Sequence, residues 1–232
     1  MRPKRLDIDL ATSDPDGLAD NNSSASTTLT LDGSGLTSGG TFTSADGLAR
    51  QLSITETATQ GQADSTFTVV GTDADGRPQT EDITGPTSTA TVTSTKTYLT
   101  VTSVTIAGGD SGDTVDMGTS TGGVASTQTI PLDFYANSPA IVQVVVTGTI
   151  NFDIEVTYEN PLKRTTGDSP ENAAPFTFTD QSDLAWVNDA NFTGKSASLV
   201  SALGTEGIRA MRVYVNSFTT GAELQVFITQ PR

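Results

Sequence analysis

The chain contains no cysteine and no histidine. Without thiols there are no disulfides, thiolate nucleophiles or cysteine-held metals. Without imidazole there is no Ser-His or Cys-His catalysis, no imidazole zinc site and no ordinary proton shuttle near neutral pH. Basic side chains are also scarce: 12 Lys and Arg stand against 27 Asp and Glu, a net charge of −15. Phosphate binding needs clustered cations that displace counterions, so a nucleic-acid partner is not expected. No run of 18 apolar residues occurs, and Met1-Arg2-Pro3-Lys4-Arg5 is not followed by the apolar stretch of a secretory leader. A membrane partner is therefore not expected, and the chain reads as soluble.

What is present is threonine, about one residue in six. Threonine is stiff at χ1 and suits a pleated, half-exposed surface, so the composition is that of strands. Short alternating runs confirm the period: Leu29 and Leu31, Leu52 and Ile54, Phe67 and Val69, Leu99 and Val101, Val104 and Ile106, Val115 and Met117. Turn residues separate them at Asp32-Gly33-Ser34-Gly35, Asp75-Gly76, Gly85-Pro86 and Gly108-Gly109-Asp110. Short strands with turns about every ten residues predict a sandwich or barrel.

The expected fold class is all-β: two β-sandwich or jelly-roll-like domains with an extended N-terminal arm. The arm covers residues 1–26, where turn chemistry lacks periodicity, although Leu6, Ile8 and Leu10 could add a strand to a sheet of this chain or of another subunit. A Thr-rich sandwich or barrel covers 27–122, and a second sandwich covers 127–232, with the boundary in the small, polar stretch 118–129. In the second half, Ile150, Phe152, Ile154, Val156 and Tyr158 alternate with polar residues, which predicts one buried and one wet face. Residues 141–158 read as two strands joined near Gly148, and 207–230 as a long hairpin. The segment 160–174 reads as a polar loop, Phe176–Phe178 as a brief strand, and "SASLVSALG", 196–204, as the best helix candidate.

One stretch raises a question of chemistry. In "GTDADGRPQTED", Asp73, Asp75, Glu81 and Asp82 surround Gly76. A helix-loop-helix calcium loop needs oxygen ligands at positions 1, 3, 5 and 12 with glycine at 6. With Gly76 at 6, Asp73 and Asp75 fall at 3 and 5, but Gly71 takes position 1. The stretch therefore reads as a type I turn closed by a left-handed glycine, with a weak calcium site at Asp73 and Asp75 as the open alternative. "GGDSGDTVD", 108–116, poses the same choice more weakly. Paired carboxylates could serve glycosidic cleavage, but a sugar cleft wants aromatics, and one Trp, four Tyr and nine Phe are few. Trp186 reads as a core or inter-strand anchor rather than a sugar platform. No catalytic, cofactor-binding or metal residue is assigned, and no cofactor or enzymatic activity is expected.

The text "FTVVGTDADGRPQTEDITGP", followed by "TVTSTKTYLTVTSVTI", resembles structural proteins of tailed bacteriophages, particularly small acidic capsid-associated proteins. "GTINFDIEVTYENP" and "IRAMRVYVNSFTTGAELQVFITQ" are similar to the C-terminal hairpins of such proteins. The resemblance spans residues 65–232 and rests on strand-and-turn text, so it carries over no site residues. It implies a capsid decoration, or cement, protein on the outer surface of the virion head. The implied partners are the major capsid protein and further copies of itself, in homo-oligomers such as trimers. The alternative is a tail or fibre component, and a lectin or carbohydrate-active enzyme is the third reading.

Overall fold

The computed structural model describes residues 3–36, 40–57, 62, 64–108, 114–133, 138–161, 181–204 and 207–230. The strands are β1 (Lys4–Asp9), β2 (Ala19–Ser23), β3 (Phe42–Thr43), β4 (Ala49–Glu56), β5 (Thr66–Thr72), β6 (Pro78–Thr84), β7 (Thr91–Tyr98), β8 (Thr100–Ala107) and β9 (Thr114–Thr119). They continue with β10 (Ala125–Ser126), β11 (Ile130–Pro131), β12 (Ile141–Thr147), β13 (Ile150–Thr157), β14 (Val187–Asn188), β15 (Leu199–Ala202), β16 (Ala210–Phe218) and β17 (Glu223–Thr229). A single turn of 3₁₀-helix, Gln181–Asp183, interrupts them, and all pairings described below are antiparallel. The chain is all-β with sandwich-like sheets.

It divides into two compact units, one of residues 1–10 with 127–232 and one of residues 11–126. The chain crosses from one to the other twice, at Leu10/Ala11 and at Ser126/Thr127. The expected arm 1–26 is therefore not one segment. Residues 4–9 form β1, paired along its length with β17, whereas residues 19–23 form β2 on β9. The 11–126 unit is an insertion that follows the first strand of the other.

In the 11–126 unit β4 lies between β9 and β7, and the second layer runs β3-β8-β5-β6. Alternate residues of both layers, among them Leu52, Ile54, Phe67, Val69, Tyr98, Val101, Val104, Val115 and Met117, meet in one core cluster. The near-repeat Thr91–Ser94 and Thr100–Ser103 serves two strands on opposite layers, because the chain turns at Leu99 from β7, paired with β4, to β8, paired with β5. The layers are tied at both margins. The chain leaving β2 runs onto β8 through Leu29 N to Val104 O and Ile106 N to Thr27 O. On the other side Glu81 of β6 accepts from Thr95 N at 2.6 Å, Thr95 Oγ1 at 2.8 Å and Lys96 N at 3.1 Å, and Gln79 Nε2 donates to Thr97 O at 2.6 Å. Gly71 makes a close crossing possible: a Cβ there would lie 2.0 Å from Thr100 O.

A buried ion pair fixes the entry to this unit. Arg50 and Asp46 have side-chain exposures of 2% and 1%, with Arg50 Nη1 2.9 Å from Asp46 Oδ2. Asp46 also accepts from Ser44 Oγ, Leu48 N and Ala11 N, while Arg50 Nη2 donates to Ala11 O and Ser13 Oγ. Burial pulls the Arg50 guanidinium below its ordinary range and Asp46 pushes it back. An ion pair this deep is tolerated because its lone pairs and protons are engaged.

The other unit has one sheet in the order β1-β17-β12-β15 and a second in which β13 lies between β14 and β16, with β11 also on β16. Ile8, Val142, Val144, Leu224, Val226 and Ile228 on one, and Phe152, Ile154, Val156, Met211, Val213 and Val215 on the other, are buried. Two strand pairs that read as hairpins are instead arches. β12 pairs with β17 and β13 with β16, so the links at Gly148 and at 219–222 each carry the chain from one sheet to the other. Those links stack, with Thr219 N donating to Thr149 O at 2.9 Å, and Gly148 takes φ +78° where a Cβ would come 3.1 Å from Ala222 Cα. The helix expected over 196–204 is also overturned. Leu199–Ala202 is β15, an edge strand on β12, with Ser198 Oγ accepting from Val146 N. The expected strand Phe176–Phe178 and most of the 160–174 loop lie outside the described residues.

Candidate functional site

The acidic stretch around Gly76 is the turn between β5 and β6, which pair from Thr66↔Thr84 to Thr72↔Pro78. Asp73 Oδ1 accepts from Asp75 N and Arg77 N, both at 2.9 Å, while Gly76, at φ +75°, donates its N–H to Asp73 O. This is an Asx-type turn, with a buried carboxylate satisfying the backbone it organises. The Asp75 Oδ2 atom lies 3.7 Å from Arg77 Nη2. Among the described residues no group of three or more Asp, Glu, His or Cys side chains gathers as metal ligands do. Residues 109–113 of the weaker acidic stretch lie outside the described residues, and Asp116 there accepts from Asn21 N at 2.8 Å.

The outward face of β13 and β16 carries the most elaborate side-chain constellation. Alternation places Asp153 opposite Tyr214 and Glu155 opposite Arg212 on that face, away from the core. Arg212 pairs through Nε with Glu155 Oε2 and donates from Nη1 to Gln181 Oε1 at 3.2 Å. Its guanidinium stacks 4.4 Å from the Trp186 ring and 5.4 Å from that of Tyr214. Trp186 Nε1 donates to Gln181 O at 2.8 Å, so both ends of the indole are held. Asp153 is occupied too, accepting from Gly194 N and from Asn216 Nδ2 and Asn188 Nδ2. Burial, then the Glu155 carboxylate, pushes the Tyr214 hydroxyl upward, with Arg212 opposing. The result is a stacked, charge-compensated plate whose two carboxylates serve the sheet. Trp186, outside the core and just before β14, joins the 3₁₀ turn at Gln181 to Arg212 of β16. Arg212 and Tyr214 were identifiable only as outward positions; their meeting with Trp186 depends on the Gln181–Trp186 link, which periodicity does not reveal.

The other sheet ends in β1. Its outward residues, Arg5, Asp7 and Asp9, lie opposite Phe227, Gln225 and Glu223. The Arg5 guanidinium lies 5.4 Å from the Phe227 ring and 2.7 Å from Asp7 Oδ1, with side-chain exposures of 53% and 60% for Arg5 and Asp7. A shallow groove of about 270 Å³ runs along this margin, lined by Arg5, Asp7, Asp9, Glu223 and Gln225. Further along the same outward face Ile141 is 42% and Val200 63% exposed. Among the described residues no further strand pairs with the outer edge of β1.

No family model matches the chain, and no curated protein matches it. Among solved structures, the major capsid protein P2 of bacteriophage PM2 aligns with 97% of this chain and 96% of its own length, at 8% identity and a TM-score of 0.20. A score of that size does not establish a shared fold.

Proposed function

We propose that this protein is a non-enzymatic structural component of a phage virion, a decoration protein that binds the outer surface of the head across neighbouring major capsid subunits. The observation that carries this reading is where the phage-like text lies. "FTVVGTDADGRPQTEDITGP" is the β5–β6 hairpin, "TVTSTKTYLTVTSVTI" is β7 and β8, and the C-terminal stretches are β13, β16 and β17. The resemblance thus follows the paired framework of both units, as it should in a protein selected for a rigid shape. Exposed Ile141 and Val200 and the open β1 offer surface for neighbours. The high acidity also suits the outside of a DNA-filled shell, where like charge does not face the genome.

The mechanism is mechanical. A ligand that prefers the assembled shell stabilises it by mass action, and symmetric repetition adds avidity to modest contacts. The test is to add the purified protein to heads that lack it. Saturable binding with a rise in the temperature at which heads release DNA supports the reading. Absence of binding to heads, with recovery on tails, replaces it with a tail component.

A further inference from the structure

Among the described residues β1 is an outermost strand of its sheet, and its geometry selects a partner. Leu10 N donates to Ala222 O at 3.2 Å, continuing the β1–β17 register. Backbone groups alternate sides along a strand, so the even residues of β1 face β17 while Arg5, Asp7 and Asp9 turn their N–H and C=O groups to the open edge. Such a row is a template for another strand.

We propose that the open edge of β1 pairs with β1 of a second copy, antiparallel about a twofold axis centred on Leu6, joining two β1-β17-β12-β15 sheets into one. Three constraints select this occupant and register. A self-complementary strand pair requires a twofold axis, and directly opposed residues must share a face of the sheet. That leaves axes centred on a residue. An axis at Lys4 sets Lys4 against Lys4, one at Arg5 sets Arg5 against Arg5, one at Asp7 sets Asp7 against Asp7 between two Arg5–Asp9 pairs, and one at Ile8 sets Asp7 against Asp9; each opposes like charges at one rung or more. The axis at Leu6 opposes no like charges: it sets Arg5 against Asp7 twice, on the hydrogen-bonded rungs, and Leu6 against Leu6 on the core side.

The existing side chains are placed for this exchange. Arg5 and Asp7 already contact each other within one strand on the outward face, both more than half exposed, so each can turn to the opposed residue without leaving a buried charge. Pro3 has no N–H to donate and ends the ladder beyond Asp9, which confines pairing to Pro3–Asp9. This inference rests on β1 and its sheet, independently of the virion reading.

The test is the mass of the full chain by sedimentation equilibrium, for wild type, Arg5→Asp, Asp7→Lys and the double variant. The wild type is expected to dimerise reversibly. Each single variant opposes like charges twice and is expected to weaken the dimer about tenfold or more. The double variant, and an equimolar mixture of the two single variants, are expected to recover it, since both restore opposite charges at every rung. Circular dichroism melts of the variants check that these exposed changes leave the fold intact. A wild type that stays monomeric, an oligomer of another order, or a dimer indifferent to both single variants overturns the proposal.

Discussion

Asp46→Ala removes the carboxylate that compensates Arg50. The side chain is 1% exposed and accepts four hydrogen bonds, from Arg50 Nη1, Ala11 N, Ser44 Oγ and Leu48 N. Breaking a buried pair by deleting one member costs about 3–5 kcal/mol, because the remaining charge keeps its desolvation penalty and loses its partner. The lost acceptors point the same way, since bonds to a charged group are worth roughly 1.5–3 kcal/mol each and are not additive. A cost near 4 kcal/mol corresponds to a drop of roughly 10 °C in the melting temperature for a chain of this size. Asp46→Asn keeps an acceptor for Ser44 and Leu48 but sets an amide against the guanidinium, so an intermediate loss of about 2 kcal/mol is expected. Replacing both members, Asp46→Leu with Arg50→Met, should cost less than Asp46→Ala alone, as apolar substitutes of similar volume do for other buried pairs. Differential scanning calorimetry and urea midpoints read all three. A loss below about 1 kcal/mol for Asp46→Ala would refute the claim that this pair holds the entry to the 11–126 unit.

Three further outcomes follow from the same geometry. Glu81→Ala deletes the acceptor for Thr95 N, Thr95 Oγ1 and Lys96 N at the β6–β7 margin and is expected to cost about 2 kcal/mol in urea denaturation; an unchanged midpoint would show that the margin closes without it. Tyr214 carries a raised pKa through burial first and Glu155 second, so absorbance titration should show ionisation above the ordinary tyrosine range that diminishes in Tyr214→Phe. Asp14 is raised by burial and then by its hydrogen bond and proximity to Asp16. The folded state therefore holds that proton more readily than the unfolded one, and the stability it contributes falls as pH rises from the ordinary carboxylate range through the folded pKa. Asp16→Asn should raise the urea midpoint at pH 7 relative to wild type, with the difference fading by about pH 3.5; a lower midpoint at pH 7 would contradict this.

Much of the fold was legible in the sequence because a period of two is a strong signal. Phe67 and Val69, and Ile150, Phe152, Ile154 and Val156, fall on buried faces as their alternation requires, whereas Tyr158, one residue past the end of β13, is 46% exposed. The turn at Asp73–Gly76 was legible because Asx bonding and a left-handed glycine are local properties. Partners were not legible. Alternation says which face of β12 or β16 is wet, not which strand lies beside it, and the short links at Gly148 and 219–222 serve an arch as readily as a hairpin. The helix misreading at 196–204 has a related cause. Ser, Ala and Leu are compatible with helix, but Val146, Val144 and Gln143 of β12 present backbone groups that Ser198, Leu199 and Val200 engage, and tertiary pairing overrides propensity. The plate formed by Arg212, Trp186 and Tyr214 joins residues far apart in sequence through Gln181, and nothing local announces it.

The central claim is a place on the outer surface of a virion head. Gold-labelled antibody imaging of intact particles, with copy number measured against the major shell protein by quantitative gel staining, tests it most directly. Label spread over the whole head at a copy number comparable to that of the shell protein is the predicted result. Label confined to one vertex or to the tail, at a few copies per particle, or no label at all, would contradict it.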